Sequence, residues 1–176
     1  MDKLEELVTA DSIEEELKER HTSVAHGEAR RQSAERILKT APRLFAILVL
    51  IQRSQFIGSF LDEGLDDSHL PFIRSDKNVT GGNFKLCSGL HPNQPIACID
   101  RWRRPRINEF DRVQWCLLAP IFKQSEEVLH YTLNDNCILP LLERSKSSEK
   151  GGFSTVYEII IHPAHQFLHN SSNPKV

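Results

Sequence analysis

The run LFAILVLI, residues 44 to 51, constrains this chain more than any other stretch. Eight consecutive apolar residues fall far short of the roughly 20 that a helix needs to cross a bilayer, so the run has to be buried inside protein. Pro42 stands just ahead of it, where a proline suits the first turn of a helix because its missing N–H would have no intrahelical partner anyway. Leu44, Ile47, Leu48 and Ile51, then Phe56 and Phe60, recur at helical spacing. The pattern predicts one central helix over about 43–61, apolar nearly all round in its first half.

Weaker signals surround that segment. Ser12 and Glu15 have capping-box spacing and predict a helix from about position 12, with Ile13 and Leu17 on its thin apolar face. A second helix over about 28–39 offers Ala34, Ile37 and Leu38. Residues 64–105 are rich in Gly, Pro, Asn, Asp and Ser, which predicts loops carrying short strands near 84–86 and 96–99. Asn108 can cap a helix over about 109–122, with Phe110, Val113, Leu117, Leu118 and Ile121 on one face and Pro120 kinking or ending it. Phe45, Leu48, Ile51, Leu117 and Ile121 are then expected in one core. EVLHYTL (127–133) and the residues near 138–142 read as strands, and 155–161 as a further strand, with 143–154 as the loop of a hairpin. The expected fold class is α+β: a charged helical segment (1–40), a helical and loop-rich upstream domain (41–128), and a C-terminal β-hairpin (129–176).

Composition removes several function classes. A formal net charge of -2 leaves no global basic field for non-specific nucleic-acid binding. Cys87, Cys98, Cys116 and Cys137 include no C-x-x-C pair, so a zinc ribbon or thioredoxin-type site is not expected, and mostly buried, reduced thiols are. The first twenty residues carry 8 acidic and 3 basic side chains, unlike a secretory signal or a transit peptide. The expectation is an intracellular protein, cytoplasmic or nuclear, with no membrane partner.

The stretch EKGGFSTVYEIIIHP, residues 149 to 163, raises the question of chemistry. A phosphate must be met by several backbone N–H groups at once, and only residues with little side chain let the backbone come that close. Gly151 and Gly152 could serve there, with Phe153 folding over as a lid, Ser154 as a small residue at the turn, and Val156 against a base. The competing reading is a plain hairpin turn, for which a glycine pair is common.

GGFSTVYEIIIHP resembles the Gly-rich loop and second strand of a protein kinase, whose pattern is G-x-G-x-x-G-x-V. Aligning Val156 with the valine places Glu149 on the first glycine, Gly151 on the second and Ser154 on the third. With RLFAILVLI, FDRVQWCLLAPIF and HYTLNDNCILPLLE, the chain over about 40–170 is similar to a lineage of fungal Ser/Thr kinase-like proteins with a helical region ahead of the catalytic domain. The resemblance implies a kinase N-lobe hairpin, with Gly151, Gly152, Phe153, Ser154 and Val156 as nucleotide-binding positions and with ATP and magnesium as ligands of the intact family. It also implies a third-strand lysine, an H-R-D aspartate with its asparagine and a D-F-G aspartate, none of which this sequence contains. Lys175 follows Asn173-Pro174 rather than strand residues. The expectation is a fragment or degenerate copy, stopping inside the lobe, with no catalytic residue and no cofactor of its own. Its expected partner is the rest of a kinase domain or another protein, and the alternative is a stand-alone protein- or nucleic-acid-interaction module.

His162, His165 and His169, with His91 or Cys87, could in principle meet at a metal, but the HPAH turn reads better as a linker and no metal is expected. RWRRPR, residues 101–106, sets Arg101, Arg103, Arg104 and Arg106 around Trp102, the mixture used for single-stranded nucleic acid. A solvated loop anchored by its tryptophan is the favoured alternative.

Overall fold

A computed structural model describes residues 6–20, 27–75, 84–123, 133–151 and 154–167. The chain divides into two compact units, residues 1–117 and 118–176. Together they are mixed α+β, as expected.

The first unit begins with α1 (Ala10–Arg20) and α2 (Gly27–Thr40), which pack on each other. The α1 cap lies three residues earlier than Ser12. Thr9 Oγ1 accepts from the Ser12 N–H at 3.2 Å and Ser12 Oγ accepts from the Thr9 N–H at 3.0 Å, so Ser12 closes the box at the third helical position instead of opening it. Val8 and Ile13 flank this cap, and both join the core. On α2, Ala34 and Ile37 are buried while Leu38 is exposed, contrary to expectation, because the buried stripe is only wide enough for two of the three.

The anticipated helix over 43–61 is broken in two. Helix α3 (Pro42–Leu50) stops in a Schellman turn: the Arg53 N–H donates to the Leu48 carbonyl at 2.7 Å and the Gln52 N–H to that of Val49 at 2.9 Å. Gln52 takes the left-handed φ of 57° that this turn needs. After a single 3-10 turn (Ser54–Phe56), α4 (Ile57–Asp62) ends the same way, with Gly64 at φ 77° and the Leu65 N–H reaching the Phe60 carbonyl at 2.9 Å. No side chain of its own N-cap, Ala41, serves α3. Asp67 does so from across the fold, accepting the Arg43 and Leu44 N–H groups at 2.9 Å each.

Strand β1 (Phe72–Ser75), absent from the sequence reading, pairs antiparallel with β2 (Lys85–Ser88). Residues 97–99 form a 3-10 turn rather than a strand, because Glu63 takes the Ala97 and Cys98 N–H groups, at 2.6 and 2.9 Å, away from any ladder. Helix α5 runs Arg104–Leu117. It starts four residues before Asn108, with Pro105 in its first turn, and stops before Pro120, which constrains the residues preceding it. Leu118 and Ile121 therefore fall outside the helix, in the second unit, and Ile121 is not part of the Leu48 core.

That core is centred on Phe60, Phe72 and Phe110, stacked nearly parallel with centroids 5.5–6.1 Å apart and all fully buried. Gln114, also fully buried, pins β1 to α5. Its Oε1 accepts from the Phe72 N–H and its Nε2 donates to the Phe72 carbonyl, both at 2.8 Å.

In the second unit β3 (Phe122–Lys123) pairs parallel with β6 (Gln166–Phe167), and β4 (Leu141–Gly151) pairs antiparallel with β5 (Ser154–Ile161). The hairpin is real, but 138–140 are not strand and the expected loop over 143–154 is almost all strand. The polar run SKSSEK can extend because an edge strand open to water does not need an apolar face. Most of EVLHYTL lies outside the described residues. No helix among the described residues is long and apolar enough to cross a membrane.

Candidate functional site

The positions expected to meet a nucleotide sit at the tip of the β4–β5 hairpin. Gly151 and Ser154 form its last ladder pair, leaving two residues, Gly152 and Phe153, for the connection; these two lie outside the described residues. Val156 is on β5, two positions after Ser154. Register shifts at Leu141/Glu143 and at Lys146/Lys150 leave Leu142 as an extra residue and set three residues of β4, 147–149, against Val156. Bulges of this kind bend a strand and increase its twist. Farther from the tip, the Arg144 guanidinium lies 3.8 Å from the centroid of the Tyr157 ring, on the neighbouring strand.

The arginines of RWRRPR divide. Arg104 is drawn away from the others: it stacks on Phe84 at 4.2 Å, with Arg74 also against that ring at 4.3 Å, while Arg74 Nε donates to the buried Asp111 at 2.6 Å. Arg101, Arg103 and Arg106 instead line a hollow of about 410 Å³ together with Trp102, Phe56 and Arg53. Trp102 meets Phe56 edge-on at 5.1 Å and Phe60 and Phe110 at 6.3 Å, so it anchors the segment to the core as expected. Sequence reasoning missed Arg53. It lies 48 positions from Arg101, and no spacing rule links the end of α3 to the turn before α5.

Cysteine chemistry finds little support. Cys87 is buried, Cys98 and Cys137 are half-buried and Cys116 is exposed, so the thiols are not mostly buried. Burial pushes the Cys98 thiol well above its ordinary pKa, and the Glu63 carboxylate beside it adds to the effect, which is the opposite of what a nucleophile needs. His162 Nδ1 accepts from the Ala164 N–H at 3.2 Å, and His165 Nδ1 lies 3.2 Å from the Pro120 carbonyl. His169 lies outside the described residues, and among those described no three His, Cys, Asp or Glu side chains converge.

Neither a scan against protein families nor searches of curated proteins and of solved structures matched this chain.

Proposed function

We propose that this chain is the non-catalytic upstream region and Gly-rich hairpin of a protein kinase-like protein, whose intact form would carry ATP-dependent Ser/Thr phosphorylation. The observation that carries this reading is the β4–β5 hairpin, whose last ladder pair is Gly151 and Ser154, with Val156 on the returning strand. A helix over 155–161 would have excluded it.

The 176 residues contain no V-A-x-K lysine, H-R-D or D-F-G, and positioning and charge stabilisation by those groups supply nearly all of phosphoryl-transfer catalysis. A hairpin offering a few N–H groups must meet about 1 to 2 kcal/mol per residue it orders. Calorimetric titration of the chain with ATP and magnesium is therefore expected to give a Kd no better than millimolar, about -4 kcal/mol. A micromolar constant lost on Gly151→Val would instead show that a nucleotide site exists at the hairpin, against this reading. The kinase-like part is tested by the transcript beyond codon 176. In-frame V-A-x-K, H-R-D and D-F-G elements support it, and an immediate stop in independent transcripts favours an interaction module, the reading that the arginine-lined hollow supports.

A further inference from the structure

We infer that the hollow lined by Arg53, Arg101, Arg103 and Arg106 over Trp102 and Phe56 is a binding site for a phosphorylated side chain of a protein partner. The inference does not depend on the kinase-like reading, since all six residues lie within the first unit.

The backbone fixes where the cations stand. Arg53 follows the left-handed Gln52, and its own N–H is tied to the Leu48 carbonyl at 2.7 Å. Arg101 and Arg103 flank Trp102, whose N–H donates to the Ile99 carbonyl at 2.9 Å and whose ring is held by the aromatic core. Arg106 is in the first turn of α5, a 14-residue helix. The positive end of that helix dipole therefore lies at the same rim.

Charge balance points to an anion. Among the described residues, the Arg53, Arg101 and Arg103 side chains have no carboxylate partner, and Glu109, 2.6 Å from Arg106, is the one acid paired to this set. The chain as a whole is acidic, with 24 Asp and Glu against 22 Lys and Arg, yet among the described residues no carboxylate lines this hollow, and Glu109 reaches only Arg106 at its rim. Several guanidinium groups held together repel one another until an anion arrives, and a phosphoryl group presents three acceptor oxygens and nearly two charges to forked donors.

The same features argue for a phosphopeptide over a nucleic acid. Stacking platforms for bases are aromatic faces open to solvent, whereas Trp102 is half-buried and meets three aromatic neighbours. A nucleic-acid backbone needs a track of positive charge, but Arg104 is turned to Phe84 and the charge is left at a single focus. Arginine clusters of this kind are a recurring means of recognising phosphorylated motifs.

The test is fluorescence anisotropy of the 176-residue chain with two degenerate peptide pools, one centred on phosphoserine or phosphothreonine and the other on the unmodified residue. The phosphorylated pool is expected to bind at least about tenfold more tightly, corresponding to one charge-assisted hydrogen bond or more. Arg101→Gln with Arg103→Gln, both exposed and so compatible with an unchanged circular dichroism spectrum, should remove most of that preference. Glu109→Gln should raise affinity by roughly twofold, since it removes a competing acid. Equal binding of the two pools would overturn the inference, as would indifference to the double arginine variant or weaker binding in Glu109→Gln. It also fails if inorganic phosphate competes at the same concentration as the phosphopeptide pool, or if a poly(U) oligonucleotide binds more tightly than the peptides.

Discussion

Residues 1–117 gather 20 buried apolar residues into one cluster, whereas the described part of residues 118–176 buries Ile161 and leaves Leu133, Ile138, Leu139, Leu142, Tyr157 and Phe167 exposed. Backbone pairing cannot explain the contrast, because among the described residues the 118–176 unit contains the longest strand pair. The first unit is held by side chains that reach across the sequence, such as Asp67 on α3, Glu63 on the 97–99 turn and Gln114 on β1. The second is held by its ladder. A two-stranded hairpin is marginal in water on its own, while the first unit supplies its own core.

The strongest way to break this comparison is to separate the units. Residues 1–117 alone should unfold cooperatively in urea, and residues 118–176 alone should show no cooperative transition. A sigmoidal, two-state transition from the isolated 118–176 piece would show that it has a core of its own. Within the intact chain, Phe60→Ala removes the middle of the stacked aromatic trio and should cost about 3 to 5 kcal/mol, whereas Tyr157→Ala, on an exposed strand face, should cost about 0.5 kcal/mol. Comparable losses by chemical denaturation would erase the distinction between the units.

A smaller effect concerns the remote cap. Asp67→Ala leaves the Arg43 and Leu44 N–H groups without their acceptor and should cost about 1 to 2 kcal/mol. Burial raises the Asp67 carboxyl above its ordinary value against the pull of those two N–H groups. Folding thus favours its protonated form: the associated stability is fully present below the unfolded pKa and is lost as pH rises through the folded one. Asp66, lowered chiefly by the Ser68 hydroxyl, has the opposite sign, its contribution being lost as pH falls through its folded pKa. Stability measured between pH 3 and 6 should therefore become more strongly pH-rising in Asp67→Ala. An unchanged slope would count against the burial of this carboxyl.

Local pattern made the apolar segments legible and long-range polar partners did not. Pro42, the run at 44–51 and the strand over 155–161 carry their own signals, and α3 begins and β5 runs close to where expected, although the helix expected to reach 61 stops at Leu50. Asp67, Glu63 and Gln114 act over 23 to 42 positions, so nothing near Ala41, Ala97 or Phe72 announces them. Of the arginine-lined hollow, the RWRRPR half was legible and Arg53 was not, for the same reason. The β4–β5 pairing was legible as a hairpin, but the extension of β4 through SKSSEK was hidden by residues that are poor strand formers by propensity.

The break between α3 and α4 yields the smallest and most local expectation. Nothing at Gln52 signals a stop, because a non-glycine residue rarely accepts φ near 57°, and yet the Schellman bonds around it are complete. The second Schellman turn of the pair has glycine at the equivalent position, Gly64 at φ 77°. Left-handed backbone costs an L-residue roughly 1 to 2 kcal/mol, and glycine relieves that at the expense of about 0.5 to 1 kcal/mol of extra unfolded-state entropy. Gln52 is exposed, and no side-chain hydrogen bond of its own offsets the strain among the described residues. Gln52→Gly should therefore stabilise the first unit by about 0.5 to 1 kcal/mol, visible as a higher urea midpoint with an unchanged slope. Gln52→Val, β-branched and least tolerant of positive φ, should move the midpoint the other way. A destabilised glycine variant would mean that the chain passes from α3 to α4 by a different turn, and the placement of Arg53 at the hollow would have to be redrawn with it.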